Sequence, residues 1–160
     1  MGTKAQGILK ISPEEVIKLL NGALADEWLA VMQYWLGAQL YKGPQKKEIT
    51  QEFLLHMQEE LTHADKLSQR IIQLGGVPVI NPKVLAKAEV ATGELPEDSI
   101  GSNVLSKSIR GEQHAILYYN SVLEVVRGKD PVTHALIVEI LSDEIEHEQD
   151  LEDLIFEKTC

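Results

Sequence analysis

Six side chains able to bind a metal ion recur in this sequence as two matched sets. Glu60-Leu61-Thr62-His63 and Glu144-Ile145-Glu146-His147 share a Glu-x-x-His spacing. Glu27 lies 33 residues before Glu60, and Glu112 lies 32 residues before Glu144. Five histidines among many glutamates make one Glu-x-x-His by chance unsurprising. Two copies, each with a partner glutamate at matching distance upstream, make a constellation. Carboxylates and imidazoles together suit hard and borderline divalent metals.

Helices must position these residues. Ser12-Pro13-Glu14-Glu15 reads as a helix start, with Ser12 as N-cap, Pro13 at the first helical position and Glu15 closing a capping box. Val16, Leu20, Ala23, Glu27, Val31, Tyr34, Ala38 and Tyr41 then recur at helical spacing, which puts Glu27 in the apolar stripe. Gly43-Pro44 ends this helix. A second is predicted from about Lys46 to Leu74, with Ile49, Phe53, His56, Glu60, His63, Leu67 and Ile71 on one face, stopped by Gly75-Gly76 and Pro78. A third should run from near Asp98 to Gly128, with Leu105, Ile109, Glu112, Ile116, Tyr119 and Leu123 inward. Asp130-Pro131 caps a fourth, carrying Ile137, Ile140, Glu144, His147, Leu151 and Leu154 inward and ending near Glu157. We therefore expect an all-α chain: residues 1–11 a flexible N-terminal tail, 12–157 a four-helix bundle, and 158–160 a short C-terminal tail.

The spacing makes the six residues converge. In an antiparallel hairpin, residues equidistant from the turn lie at the same height. The midpoint of Glu27 and Glu60 falls on Gly43-Pro44, and that of Glu112 and Glu144 on Gly128. Each histidine, three residues after its glutamate, shares that helix face. Residues 75–97 form a long crossover between helices two and three, with a short helix expected from Asn81-Pro82 to Ala88. Extended, they would reach about 75 Å, ample for a bundle of roughly 45 Å. Four carboxylates and two imidazoles then line one cavity. Unpaired buried charges cost several kcal/mol each, and no Lys or Arg stands in the inward stripes. Two divalent metals answer this best: zinc favours closed tetrahedral sites and magnesium few protein ligands, which leaves iron or manganese.

Bulk properties agree. The formal charge of −10 argues against nucleic acid and anionic membranes as partners. Cys160 is the only cysteine, so no disulfide framework is expected and a reducing, cytoplasmic setting is the default reading. No run of the sequence has the length and apolarity of a signal peptide or membrane span.

The six-residue set resembles the ferritin-like superfamily of di-iron carboxylate bundles over residues 12–157, and within it the bacterioferritin-type ferroxidase centre. That resemblance implies two Fe ions per subunit, with Mn possible: Glu60 and Glu144 bridging, Glu27 and Glu112 terminal, His63 and His147 each on one metal. Haem is not expected, because Leu61 stands where haem-binding relatives carry Met. Four helices with a structured crossover and no room for a fifth resemble the Dps-like mini-ferritins, so a hollow homo-oligomer of twelve subunits is favoured over twenty-four. Members of that subgroup with this type of site carry a Cys pair beside it, where this chain has His114 and Leu123.

The implied function is Fe(II) oxidation with O2 or H2O2 and iron storage in a shell. The alternatives are a discrete di-iron or di-manganese oxidase or peroxidase of rubrerythrin or manganese-catalase type, and a non-catalytic metal-binding bundle. Tyr34, Tyr119 and His56 are candidate accessory residues, each weighed against ordinary core packing. Glu59 and Asp143 read either as acceptors for the imidazoles or as exposed acids. His114 and His134 read as surface residues, and Trp28 and Trp35 as packing between helices or subunits.

Overall fold

The computed structural model describes residues 2–79 and 101–156. Four long helices build it: α1 (Pro13–Leu40), α2 (Lys46–Leu74), α3 (Gly101–Val126) and α4 (Pro131–Phe156). Their ends follow local chemistry. Ser12 caps α1 by accepting from the Glu15 N–H, with Pro13 opening the helix. Gly75 ends α2 at φ 92°, and Gly128 turns the chain between α3 and α4 at φ 67°, backbone conformations that L side chains rarely adopt. The connection predicted over residues 75–97, with its short helix, lies largely outside the described residues. Its first part is held to α1, where Asn21 donates to the Val77 carbonyl and accepts from the Val79 N–H.

Asp130 caps α4 by accepting from the N–H groups of Val132 and Thr133. It also receives a guanidinium: Arg70 Nη2 lies 2.9 Å from both Asp130 oxygens, and Arg70 Nε donates to Thr133 Oγ1 at 2.8 Å. Arg70 is thus a buried cation on α2 outside the expected stripe, and its charge is used at the bundle end. Burial would raise Asp130, but hydrogen bonds from the Thr133 hydroxyl and N–H, then the Arg70 guanidinium, outweigh that cost and hold its pKa below the ordinary value.

Cross-helix contacts fix the topology. Tyr34 meets Glu112 and Tyr119 meets Glu27, so α1 and α3 are antiparallel. His63 meets Asp143, Lys66 meets Glu139 and Arg70 meets Asp130, so α2 and α4 are antiparallel too. Each hairpin being antiparallel, α2 runs parallel to α3, so the end of α2 and the start of α3 lie at opposite ends of the bundle.

Two apolar clusters fill the interior. One gathers Leu20, Leu24, Leu67, Ile71, Tyr119, Val122, Ile137 and Ile140. The other gathers Tyr34, Tyr41, Ile49, Phe53, Leu105 and Leu151. Each fully buried Leu or Ile contributes about 1.5–3 kcal/mol, enough in sum to fix the helix faces. Between the clusters lies a layer of buried charge. Ahead of α1, Thr3–Gln6 is one helical turn, Lys10 N–H donates to the Lys129 carbonyl at 2.9 Å, and Leu9 and Ile11 pack on the first cluster.

Candidate metal centre

Glu27, Glu60, His63, Glu112, Glu144 and His147 are all buried, none more than 3% exposed. They fall into two groups, Glu27–Glu60–His63–Glu144 and Glu60–Glu112–Glu144–His147, each with its ligand atoms within 4.8 Å of one another. Glu60 and Glu144 belong to both. His63 Nδ1 lies 3.2 Å from Glu144, 3.3 Å from Glu60 and 3.6 Å from Glu27. His147 Nδ1 lies 3.3 Å from Glu60, 3.7 Å from Glu144 and 3.9 Å from Glu112. The constellation found by spacing is thus assembled, one residue set from each hairpin.

The residues around it cross between the hairpins. Tyr34 of α1 donates to Glu112 of α3, and Tyr119 of α3 donates to Glu27 of α1. On the opposite face, His63 Nε2 lies 3.0 Å from Asp143 and His147 Nε2 lies 3.0 Å from Glu59. Each carboxylate accepts the Nε2–H and turns Nδ1 towards the centre. Glu59 and Asp143 therefore act as acceptors for the imidazoles, while remaining part-exposed.

Electrostatics describe a site charged for cations. Burial, then the charges of Glu60 and Glu144, raise Glu27 well above the usual carboxylate range. Burial and the charges of Glu144 and Glu60 do the same to Glu112. Burial alone would lower His147, but the facing carboxylates of Glu144 and Glu60 push it up to about 12, and His63 is raised by Glu144, Glu27 and Glu60 against the same cost. Burial would raise Glu60, yet the imidazoles of His147 and His63 facing it win and hold it far down. In the metal-free centre, then, imidazolium protons stand where cations would. Glu27 Oε2, Glu60 Oε1, Glu144 Oε1 and His147 Nδ1 are buried without any hydrogen bond. Such orphaned polar atoms are rare in folded proteins. With two carboxylates common to two four-residue sets, the arrangement fits a pair of divalent ions.

A cavity between α1 and α3 reaches Glu27, Glu60, Glu112 and Glu144, with Asp26, Gln33, Ser108, Gly111, His114 and Tyr118 along it. Burial raises Asp26 to about 7, and burial with the Asp26 charge raises Tyr118 to about 12. His114, expected at the surface, is half-buried here and lines this cavity with Gly111, one turn away. Asp26 gave no sequence signal: it sits beside a ligand-type residue but outside the 3.6-residue stripe. Leu61 faces outwards, 37% exposed.

His56 is fully buried one turn before Glu60, stacked on His147 with ring centroids 4.1 Å apart. Burial and the positive charge of His147 push it down to about 3, so its approach to Glu52 is a polar contact of a neutral ring. Burial, then the charges of Asp150 and Glu59, raise Glu52.

A four-helix bundle holding two Glu-x-x-His pairs and two further glutamates at its centre has the layout of a di-metal carboxylate protein. The chain belongs to the ferritin-like domain family, whose model matches residues 17–158. It is 32% identical over 149 residues to the DNA protection during starvation protein of Pyrococcus furiosus, covering 91% of this chain and 79% of that one. It is 33% identical over 139 residues to the bacterioferritin of Brucella melitensis, covering 83% and 78%. Among solved structures, the bacterioferritin-related protein from Bacteroides fragilis, described as a dodecameric thioferritin, superposes with a TM-score of 0.88. That match has 36% identity and covers 97% of this chain and 91% of that one. No helix among the described residues is long and apolar enough to cross a membrane.

Proposed function

We propose that this chain is a ferroxidase and iron-storage subunit that oxidises Fe(II) at the Glu27/Glu60/His63/Glu112/Glu144/His147 centre. The observation that carries this reading is the sharing of Glu60 and Glu144 between two buried carboxylate–imidazole sets. Glu27, Glu60, His63, Glu112, Glu144 and His147 would hold two iron ions, with Glu60 and Glu144 common to both sets and His63 and His147 offering Nδ1 to one ion each. Bound Fe(II) supplies the electrons that reduce O2 or H2O2. The protein supplies the rest. Asp143 and Glu59 hold the imidazoles in the metal-binding tautomer, Tyr34 and Tyr119 fix the terminal carboxylates, and the flanking apolar clusters keep bulk water out. The α1/α3 cavity, with Asp26 beside it, gives Fe(II) and the oxidant a way in.

Storage requires an assembly. The dodecameric relative, the −10 charge and exposed apolar side chains such as Trp35, Ile72 and Leu117 favour a twelve-subunit shell whose acidic interior concentrates Fe(II). Light scattering with Fe(II) added under air tests both halves. The expected result is a mass near 12 × 17.8 kDa and rapid Fe(III) formation. A stable dimer would favour a discrete di-metal oxidase, and no oxidation would leave an inert metal-binding bundle.

One relative's name mentions DNA, but a chain of −10 has little to offer phosphates. No gel shift of duplex DNA is expected at physiological salt, and no Soret band in the purified protein.

A further inference from the structure

We propose that Glu52, His56 and Asp150 form a third divalent-cation site on the α2/α4 face, one turn further along both helices than Glu60 and His147. One ligand atom from each lies within 4.8 Å of the others. His56 Nε2 is 3.3 Å from Glu52 Oε1 and 3.8 Å from Asp150 Oδ2.

The ring of His56 is the decisive part. It is fully buried, and neither of its nitrogens makes a hydrogen bond. Buried polar atoms of a folded protein are almost always satisfied, so an orphaned imidazole nitrogen aimed between two carboxylates marks a missing partner. The ring cannot swing away to find another. It is stacked on His147 at 23° and meets the edge of Tyr34 at a centroid distance of 5.1 Å.

The chemistry of the set defines the ligand. Two carboxylates balance a divalent charge, and one imidazole shifts preference from calcium and magnesium towards Fe(II), Mn(II), Co(II) or Zn(II). The Glu52 and Asp150 side chains are 29% and 43% exposed, so water completes the coordination and the ion can exchange. His56, Glu59 and His147 also form a close group. A cation here therefore sits beside the proposed centre, connected to it through Glu59. Only this staging role rests on the ferroxidase reading; the binding site does not.

Co(II) titrated into the metal-free, full-length protein under anaerobic conditions, followed by calorimetry and visible absorbance, tests the site. The parent should bind three Co(II) per subunit. The Glu52→Gln/Asp150→Asn variant, altered only at part-exposed carboxylates, should bind two with unchanged affinity, and His56→Leu should lose the same third event. Equal counts in the parent and both variants would overturn the site. A parent that binds a single Co(II), lost on Glu52→Gln/Asp150→Asn, would keep this site and sink the dinuclear centre instead.

Discussion

Tyr34 of α1 donates its hydroxyl proton to Glu112 of α3, and Tyr119 of α3 donates to Glu27 of α1. The two tyrosines occupy equivalent places, each seven residues after a centre glutamate, and each serves the glutamate of the other hairpin. His63 with Asp143 and His147 with Glu59 repeat the exchange on the opposite face. The halves are thus stitched together through the centre itself.

Tyr34→Phe and Tyr119→Phe should each leave a buried carboxyl without its donor, at about 1–3 kcal/mol. The melting temperature of the metal-free protein should fall by several degrees in each variant while Co(II) still binds at the centre. Unchanged melting in both would show the contacts to be idle.

Glu144→Ala removes a carboxylate common to both ligand sets. Fe(II) oxidation should drop by at least about a hundredfold, the scale of losing one essential catalytic group, while circular dichroism keeps its helical form. Oxidation at the parental rate would refute the ligand assignment.

Cation uptake should release protons. His147 is raised to about 12, so at pH 7 it carries a proton that a metal must displace, and the upward shifts of Glu27 and Glu112 act in the same direction. Affinity for Co(II) should therefore climb as pH rises, about tenfold per unit for each proton displaced. A pH indicator in weak buffer would register the release, and its absence would contradict this electrostatic picture. The same shifts set the stability of the metal-free chain. Because the folded values lie above the unfolded ones, the stabilisation is complete below about pH 4.5 for Glu27 and Glu112 and below 6.5 for His147. It fades as pH rises through the folded values.

Arg70→Met should destabilise the fold by about 3–5 kcal/mol, because it strands the buried Asp130 carboxylate at the start of α4. Chemical denaturation would measure this. Co(II) binding by the folded variant should be unchanged, since Arg70 lies at the bundle end.

The family and the centre were legible in the sequence because helical hairpins convert spacing into position. Equal distances to Gly43-Pro44 and to Gly128 put Glu27 opposite Glu60 and Glu112 opposite Glu144, whatever the rest of the packing does. The stripes of α2 read correctly from Ile49 to Ile71, since one face of a long helix must be apolar to pack. What spacing could not decide was which neighbour each polar side chain meets across helices distant in sequence. Glu59 and Asp143 looked like any exposed acid beside a buried one. Only the antiparallel register of α2 against α4 brings them to His147 and His63. Arg70 stands outside the inward stripe of α2, and only that same register sets Asp130 against it. Asp26 and His114 came to line a cavity between α1 and α3, an effect of packing between helices rather than of periodicity. His56 had the spacing of a core residue; its unsatisfied nitrogen became visible only when α4 delivered Asp150 to the same turn.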